Sequence, residues 1–391
     1  MKKSDPVALG RWSENQGTTP FEDHIITEDC DQAYAVYGID VDGDNDVDAL
    51  SAAGKADEIA WYENDGDQDF DQHIIWDSAD NARSVFAIDV DGDGDIDAMS
   101  GSYKDDTVAW YEDDCLTHAP TLYPTLSVAP SVTPTYVPTP NPTPRPTLTK
   151  APTTARPSTD EPTYSPRPSL APTPRPTVYC GSIAFGAARV ISDALDGAHI
   201  AVATDVDGDG DLDVLAAAES GDAVAWFEND GALSFTGRLV ASDVDGVRAV
   251  IAWDVDGDGD VDLLSASNKD DSVAWYENDG DQSFSKHVVD AAADGAYAVD
   301  AIDFDGDADV DIVAAASKGD AVYWYENDGA ESFARHSVSD DEAIDPRSAL
   351  ALDVDGDGDI DVRGGAKIAS RARPVFRTRA RSQPRPPPRN T

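Results

Sequence analysis

Basic residues are scarce in this chain: 28 Lys and Arg stand against 77 Asp and Glu, leaving a formal net charge of −49 over 391 residues. A polyanion is repelled by such a surface, which argues against nucleic acid as a partner. Long apolar runs are also missing; no window of eighteen apolar residues exists, so nothing reads as a membrane span. The start, MKKSDPVALGRW, has two lysines but lacks the apolar stretch of about 7 to 15 residues that a secretory leader carries. The expectation is either an intracellular protein or an incomplete start. Three cysteines are too few for a disulfide scaffold. Helical periodicity is absent, which excludes a helix bundle. With 40% apolar and 8% aromatic residues the chain can nevertheless bury a core, so it is not simply a disordered acidic chain.

The acid is patterned. Nonapeptides of the form DVDGDGDID begin at residues 40, 89, 205, 254, 303 and 353 and hold thirty of the 77 acidic residues. Their starts differ by 49, 116, 49, 49 and 50, so a unit of about 49 residues recurs with 67 extra residues in one place. A fixed period of this size points to a repeat architecture in which neighbours complete each other's core. Unit 1 reads AYAVYGIDV, the acidic loop, DALSAAG, DEIAWYENDG and DFDQHIIWD. These short runs rich in Val, Ile, Trp, Tyr and Ala, separated by Gly, Asp and Asn, predict four strands, A to D, with a hairpin turn at Asn-Asp-Gly. The fold class is therefore all-β, a β-propeller of about six four-stranded blades. Residues 12–26 match only strands C and D, and 346–362 only A and B, so the two ends are expected to combine into one closing blade. A truncated seven-bladed ring reads the same.

The extra residues fall inside the C to D hairpin of unit 2. Between Cys115 and Cys180 lie 64 residues with 17 of the 25 prolines, interleaved with Thr and Ser, a composition that stays extended and unpacked. A hairpin brings its strand ends together, so a Cys115–Cys180 disulfide is expected at the base of the insert, with two free thiols as the alternative. Such a bridge and such a stalk suggest an extracellular or cell-surface setting. Cys30 is left over. The domain reading is 9–115 and 180–365 for the propeller, 116–179 for a disordered insert and 366–391 for a basic disordered tail, the latter an artefactual end or a binder of acidic surfaces.

Five aspartates in nine residues demand a counter-charge: two like charges 4 Å apart repel by about 4 kcal/mol at an effective dielectric of 20. The candidate metal ligands are Asp40, Asp42, Asp44, Asp46 and Asp48; Asp89, Asp91, Asp93, Asp95 and Asp97; and Asp205, Asp207, Asp209, Asp211 and Asp213. The later loops supply Asp254, Asp256, Asp258, Asp260 and Asp262; Asp303, Asp305, Asp307, Asp309 and Asp311; and Asp353, Asp355, Asp357, Asp359 and Asp361. An all-oxygen tight loop suits calcium, which takes six to eight oxygens in flexible geometry. About six ions are expected, one per blade. Zinc is a poor fit without Cys or His in any loop. An EF-hand needs Glu at position 12, where these loops have Ser51, Ser100, Ala216, Ser265, Ala314 and Gly364. Position 6 needs a left-handed residue, glycine except for Asn45 and Ala308, so the fifth site is the most doubtful.

The stretches DVDGDGDIDAMS and DSVAWYENDGDQSFSKHVV resemble the FG-GAP or VCBS repeats of integrin-α-like propellers, over nearly the whole chain apart from the insert and the two ends. The resemblance implies a structural calcium ion in each A to B loop, with side-chain ligands at positions 1, 3, 5 and 9, here Asp89, Asp91, Asp93 and Asp97 and their counterparts. It also implies binding or adhesion through the opposite face.

On that face the residue six before each loop is Tyr34, Arg83, His199, Arg248, Tyr297 or Arg347, a basic and aromatic ring expected around the central channel. The B to C turns repeat Lys55, Lys104, Lys269 and Lys318. Together these basic groups suggest a protein or glycan ligand, anionic ones included, while ion pairs with nearby aspartates are the plainer reading of the lysines. His24, His73, His287 and His336 recur in register, as do six tryptophans, which suits blade packing better than catalysis. No singular nucleophile or base breaks the repeat. The leading expectation is a non-enzymatic, calcium-stabilised recognition or adhesion module; a polysaccharide-active enzyme or its accessory domain is the alternative.

Overall fold

The computed structural model describes residues 11–14, 22–27, 31–67, 69–113, 183–339, 345–353, 360–366 and 375–376. The chain divides into two units, residues 1–115 with 179–391, and residues 116–178. The second unit lies outside the described residues, as do all three cysteines and hence the expected disulfide.

Each repeat folds into one antiparallel four-stranded sheet with its strands in chain order. In unit 1 strand A is Ala33–Ile39, B is Asp48–Ala53, C is Glu58–Asn64 and D is Phe70–Trp76. The same order recurs in units 3, 4 and 5, starting at Ala198, Val247 and Ala296. Unit 2 is interrupted but complete. Ala82–Ile88, Asp97–Ser102 and Thr107–Tyr111 are joined by Arg189–Ser192 from beyond the insert, and Asp113 pairs with Phe185 at the base of the hairpin.

Strand A of each unit lies against strand A of the next, from Ala33–Ile39 round to Pro346–Leu352, so the A strands are innermost and the sheets radiate as the blades of a β-propeller. Strand B explains the close stacking. Its sequences DALSAA, DAMSGS, DVLAAA, DLLSAS and DIVAAA are buried at every residue, with small Ala, Ser and Gly interleaved among Leu, Met, Ile and Val, so both faces of the sheet are covered. The core consequently lies between blades. Leu50, Ile59 and Trp61 of unit 1 pack with Ala82, Ala98 and Tyr111 of unit 2, and Leu264 and Trp275 of unit 4 with Ile312 and Tyr325 of unit 5.

A polar latch repeats at each boundary. The B to C turn aspartates Asp57, Asp106, Asp222, Asp271 and Asp320 adopt left-handed backbone with φ of 49 to 58°. Their carboxylates accept the backbone N–H of Asn81, Gly197, Gly246, Gly295 and Asp345 in the following unit, at 2.8 to 2.9 Å. Each latch sits 24 or 25 residues from its partner except where the insert intervenes.

The closing blade differs from the sequence expectation. Arg11–Glu14 and Glu22–Ile25 pair with each other, and among the described residues neither pairs with a strand of the last unit. Pro346–Leu352 and Asp361–Ala366 instead take Val375–Phe376 as their third strand, with Val362 opposite Phe376. Val375 and Phe376 lie in the tail expected to continue no strand. A nearby segment closes a far shorter loop than one at the other end of the chain, and the entropic cost is correspondingly smaller.

Candidate functional site

In the five A to B loops whose side chains are described, carboxylate oxygens of positions 1, 3 and 9 lie within 4.8 Å of one another. The triads are Asp40, Asp42 and Asp48; Asp89, Asp91 and Asp97; Asp205, Asp207 and Asp213; Asp254, Asp256 and Asp262; and Asp303, Asp305 and Asp311. Residues 354–359 of the sixth loop lie outside the described residues.

Each position has its own task. The position 1 carboxylate pins the loop, as Asp205 does by accepting the Gly208 N–H at 2.8 Å and the Gly210 N–H at 3.1 Å. Position 9 is buried, and both of its oxygens accept backbone N–H groups. Asp262 takes Val255 N–H at 3.0 Å and Asn278 N–H at 2.7 Å, which joins the acidic loop to the C to D turn. The same pair of bonds recurs at Asp48, Asp97, Asp213 and Asp311.

Positions 5 and 7 are engaged elsewhere. The position 5 carboxylate accepts the N–H of position 7, as Asp258 does from Asp260 at 2.9 Å. The position 7 carboxylate leans on the glycine of the Asn-Asp-Gly turn; a Cβ on Gly280, which has φ of 78°, would meet Asp260 Oδ2 at 2.6 Å. Only a glycine satisfies both demands. Of the side chains that the family resemblance suggests as ligands, the structure therefore brings together positions 1, 3 and 9. In the five described loops position 6 has positive φ, including Asn45 at φ 78° and Ala308 at φ 81°.

The triads fit a hard cation. Every donor is oxygen, and the buried Oδ1 of Asp305 has no hydrogen-bond partner. Burial, above all, pushes the carboxyls of Asp42, Asp262 and Asp311 up to about 6 and that of Asp97 to about 7. Since these folded values lie above the ordinary 3.8, the metal-free folded state holds protons that the unfolded chain releases. That contribution is fully present below about pH 4 and is lost as pH rises through 6 to 7. The metal-free protein is thus expected to melt at a higher temperature at pH 5 than at pH 8, while cation affinity falls over the same acidification. Thermal melts and cation titrations at the two pH values check both signs.

The ring residues share an unanticipated device. In every unit the pairing of strands A and B slips by one residue at Tyr34, Arg83, His199, Arg248, Tyr297 or Arg347. A β-bulge re-aims the side chain it carries. The structure brings these residues together: the Arg83 guanidinium lies 4.0 Å from the Tyr34 ring centre and 4.9 Å from that of Tyr103, while Arg248 and Arg347 lie 4.8 and 5.3 Å from Tyr297. His199 Nδ1 donates to the Arg248 carbonyl at 3.0 Å, and its ring meets Tyr297 edge-on at 6.0 Å. Burial, then the charges of Arg248 and Arg83, push the His199 pKa down to about 3.

The ring cations are not equivalent. Arg248 is paired with Glu219 and Arg347 with Asp345 at 2.9 Å. Arg83 makes no ion pair among the described residues and is held by Asn81 Oδ1 at 2.7 Å and the two tyrosine rings. The turn lysines are already partnered, Lys55 with Asp31, Lys104 with Asp80 at 2.9 Å, Lys269 with Asp245 at 3.3 Å and Lys318 with Asp271 at 3.0 Å. These are exposed pairs at the turns, between each lysine and a neighbouring aspartate.

The periodic histidines pack on the outer strands. His73, His287 and His336 stack on Trp61, Trp275 and Trp324 at 4.6 to 4.7 Å and bond Glu63, Glu277 and Glu326. Arg238 takes the same place over Trp226, beside Glu228. The side chains of His24 and Trp12 lie outside the described residues.

A family model described as an FG-GAP-like repeat matches residues 40–100, 205–265, 254–314 and 303–362, together more than half of the chain. No curated protein matches the sequence. Among solved structures, a lectin of Agrocybe aegerita, described by its specific recognition of non-reducing terminal N-acetylglucosamine, is 15% identical with a TM-score of 0.52, over 90% of this chain and 81% of the lectin. A protein from Lactobacillus plantarum is 11% identical with a TM-score of 0.56, over 93% of this chain and 86% of its own. At these identities the likeness is one of fold.

Proposed function

Because the chain belongs to the FG-GAP-like repeat family, we propose that it is a calcium-stabilised, non-catalytic recognition module that binds glycans, anionic ones included, at the central ring. The observation that carries the reading is the bulge repeated in all six units, which turns one residue of each innermost strand toward a shared cluster. Arg83, flanked by Tyr34 and Tyr103 and without a carboxylate partner among the described residues, is the group suited to an acidic sugar. The sugar-binding Agrocybe lectin of similar fold supports a glycan ligand.

Calcium is assigned from the all-carboxylate triads and their flexible loops, and its role is to hold each loop against its own charge. Asp40, Asp42 and Asp48 and their counterparts would hold the ion, and what it supplies is positive charge. A catalytic role finds no support at the ring, since His199 is buried and is a weak base at a pKa of about 3. An extracellular setting is supported by the Pro, Thr and Ser composition between Cys115 and Cys180.

A glycan array probed in calcium with the parent chain, Arg83→Ala and Arg347→Ala tests the reading. The expected result is binding by the parent to acidic glycans, an affinity at least about tenfold lower for Arg83→Ala, and a smaller loss for Arg347→Ala, whose charge Asp345 already balances. Unchanged binding by Arg83→Ala would remove the ring from the account.

A further inference from the structure

The residue that follows strand B is a second repeated position at the ring, filled by Gly54, Tyr103, Glu219, Asn268 and Ser317. Of these five only Glu219 is charged, and it is buried. Its carboxylate pairs with Arg248 of the next unit, 29 residues on, and stands 3.9 Å from His199 Nε2. The residue at the same distance before Arg83 is Gly54. A Cβ on Gly54 would meet Tyr34 Cδ2 at 2.6 Å, so the tyrosine ring fills the space that a side chain would need, and Arg83 lies over that ring. One repeat position thus gives Arg248 a carboxylate and Arg83 an aromatic face. Both guanidiniums bear on the same place, since the charges of Arg248 and Arg83 each act on the His199 imidazole.

We infer that Glu219 is a specificity-determining residue, which restricts the ring to sugars that present one negative charge, an unsulfated uronate for example, by cancelling Arg248 and repelling a second anionic group. This rests on the reading of the ring as a site for acidic glycans. The fold itself accepts an uncharged residue at this position. Asn268 and Ser317 occupy it in the next two units, where Asn268 Nδ2 donates to Ser317 Oγ at 3.1 Å.

The chemistry follows from charge count. A carboxylate seated on Arg83 meets one uncompensated guanidinium, the geometry that suits a single acidic group. The Glu219–Arg248 pair beside it carries no net charge. A sulfate or a second carboxylate that reached Arg248 would have to displace Glu219 or lie against it as a like charge. Selectivity of this kind comes from a built-in repulsion, not from an added contact. Removing the Glu219 charge therefore gains a ligand: it frees Arg248 and turns a one-charge site into a two-charge site.

The test is fluorescence polarisation of the full chain in calcium with two labelled chondroitin hexasaccharides, one unsulfated and one 6-sulfated, which differ in sulfate alone. The parent is expected to bind the unsulfated probe more tightly. Glu219→Gln, which keeps the size of the side chain, should raise affinity for the sulfated probe by at least about tenfold and change that for the unsulfated one by less than about threefold. Glu219→Asn, the residue of the following unit, should do the same, so a loss of folding in one variant leaves the other to report. Glu219→Gln combined with Arg248→Met should show no gain, because the gain needs the freed guanidinium. If Arg83→Ala weakens the unsulfated probe while Glu219→Gln and Glu219→Asn leave the ratio of the two affinities unchanged, the role of Glu219 is refuted and the ring reading stands. A parent that already prefers the sulfated probe refutes it equally. If neither probe binds the parent or any variant, the ring is not an anion site and both fall.

Discussion

Asp262→Ala is expected to destabilise the propeller by about 4 kcal/mol in calcium-free buffer, because it strips the acceptor from two buried backbone donors at about 1–3 kcal/mol each. Those donors are the N–H groups of Val255 and Asn278, and Asp262 is fully buried. In calcium the loss is larger, since a triad ligand goes with it. Asp258→Ala, from the same loop, removes an exposed carboxylate outside the triad, and its expected cost in calcium-free buffer is under about 1 kcal/mol. Urea unfolding of the two variants separates them. Equal midpoints would mean that the nine-residue loop acts only through its summed charge.

Withdrawing calcium from the parent chain has the larger effect still. A cation that binds only the folded loop adds about 2.7 kcal/mol per site at a hundred times its dissociation constant, and five triads at that value reach about 13 kcal/mol. At about 2 °C per kcal/mol for a domain of this size, the melting temperature should fall by about 25 °C. The loss is cooperative, because the core lies between blades and a loosened blade uncovers both of its neighbours. Calorimetry in calcium and after exhaustive chelation measures it, and a shift below about 3 °C would mean that the triads are solvated turns.

Much of this was legible in the sequence because a strict repeat converts weak local signals into strong ones. The four strands, the interruption of unit 2 and the clustering of acid at the A to B loop follow from period and turn chemistry. The bulge at Tyr34 and its counterparts was not legible, since an extra residue recurring in every unit leaves the period unchanged. The latch aspartates were visible as recurring residues, beginning with Asp57 and Asp106. Their partners lie in the next unit, and nothing local to a turn points across a blade boundary. Position 9 read simply as one acid among five. Its structural role was encoded in the constant spacing of 16 residues from Asp262 to Asn278 and from Asp311 to Asn327. The substitution of Val375–Phe376 for the expected closing strand turned on loop length, which strand patterns do not reveal.

The most direct measurement is the number of calcium ions retained by the intact chain in native mass spectrometry, taken for the parent and for Asp262→Ala. The expected result is five or six ions in the parent and one fewer in the variant. A parent that retains no calcium, or a variant that retains the same number, would contradict the assignment of one structural ion to each acidic loop.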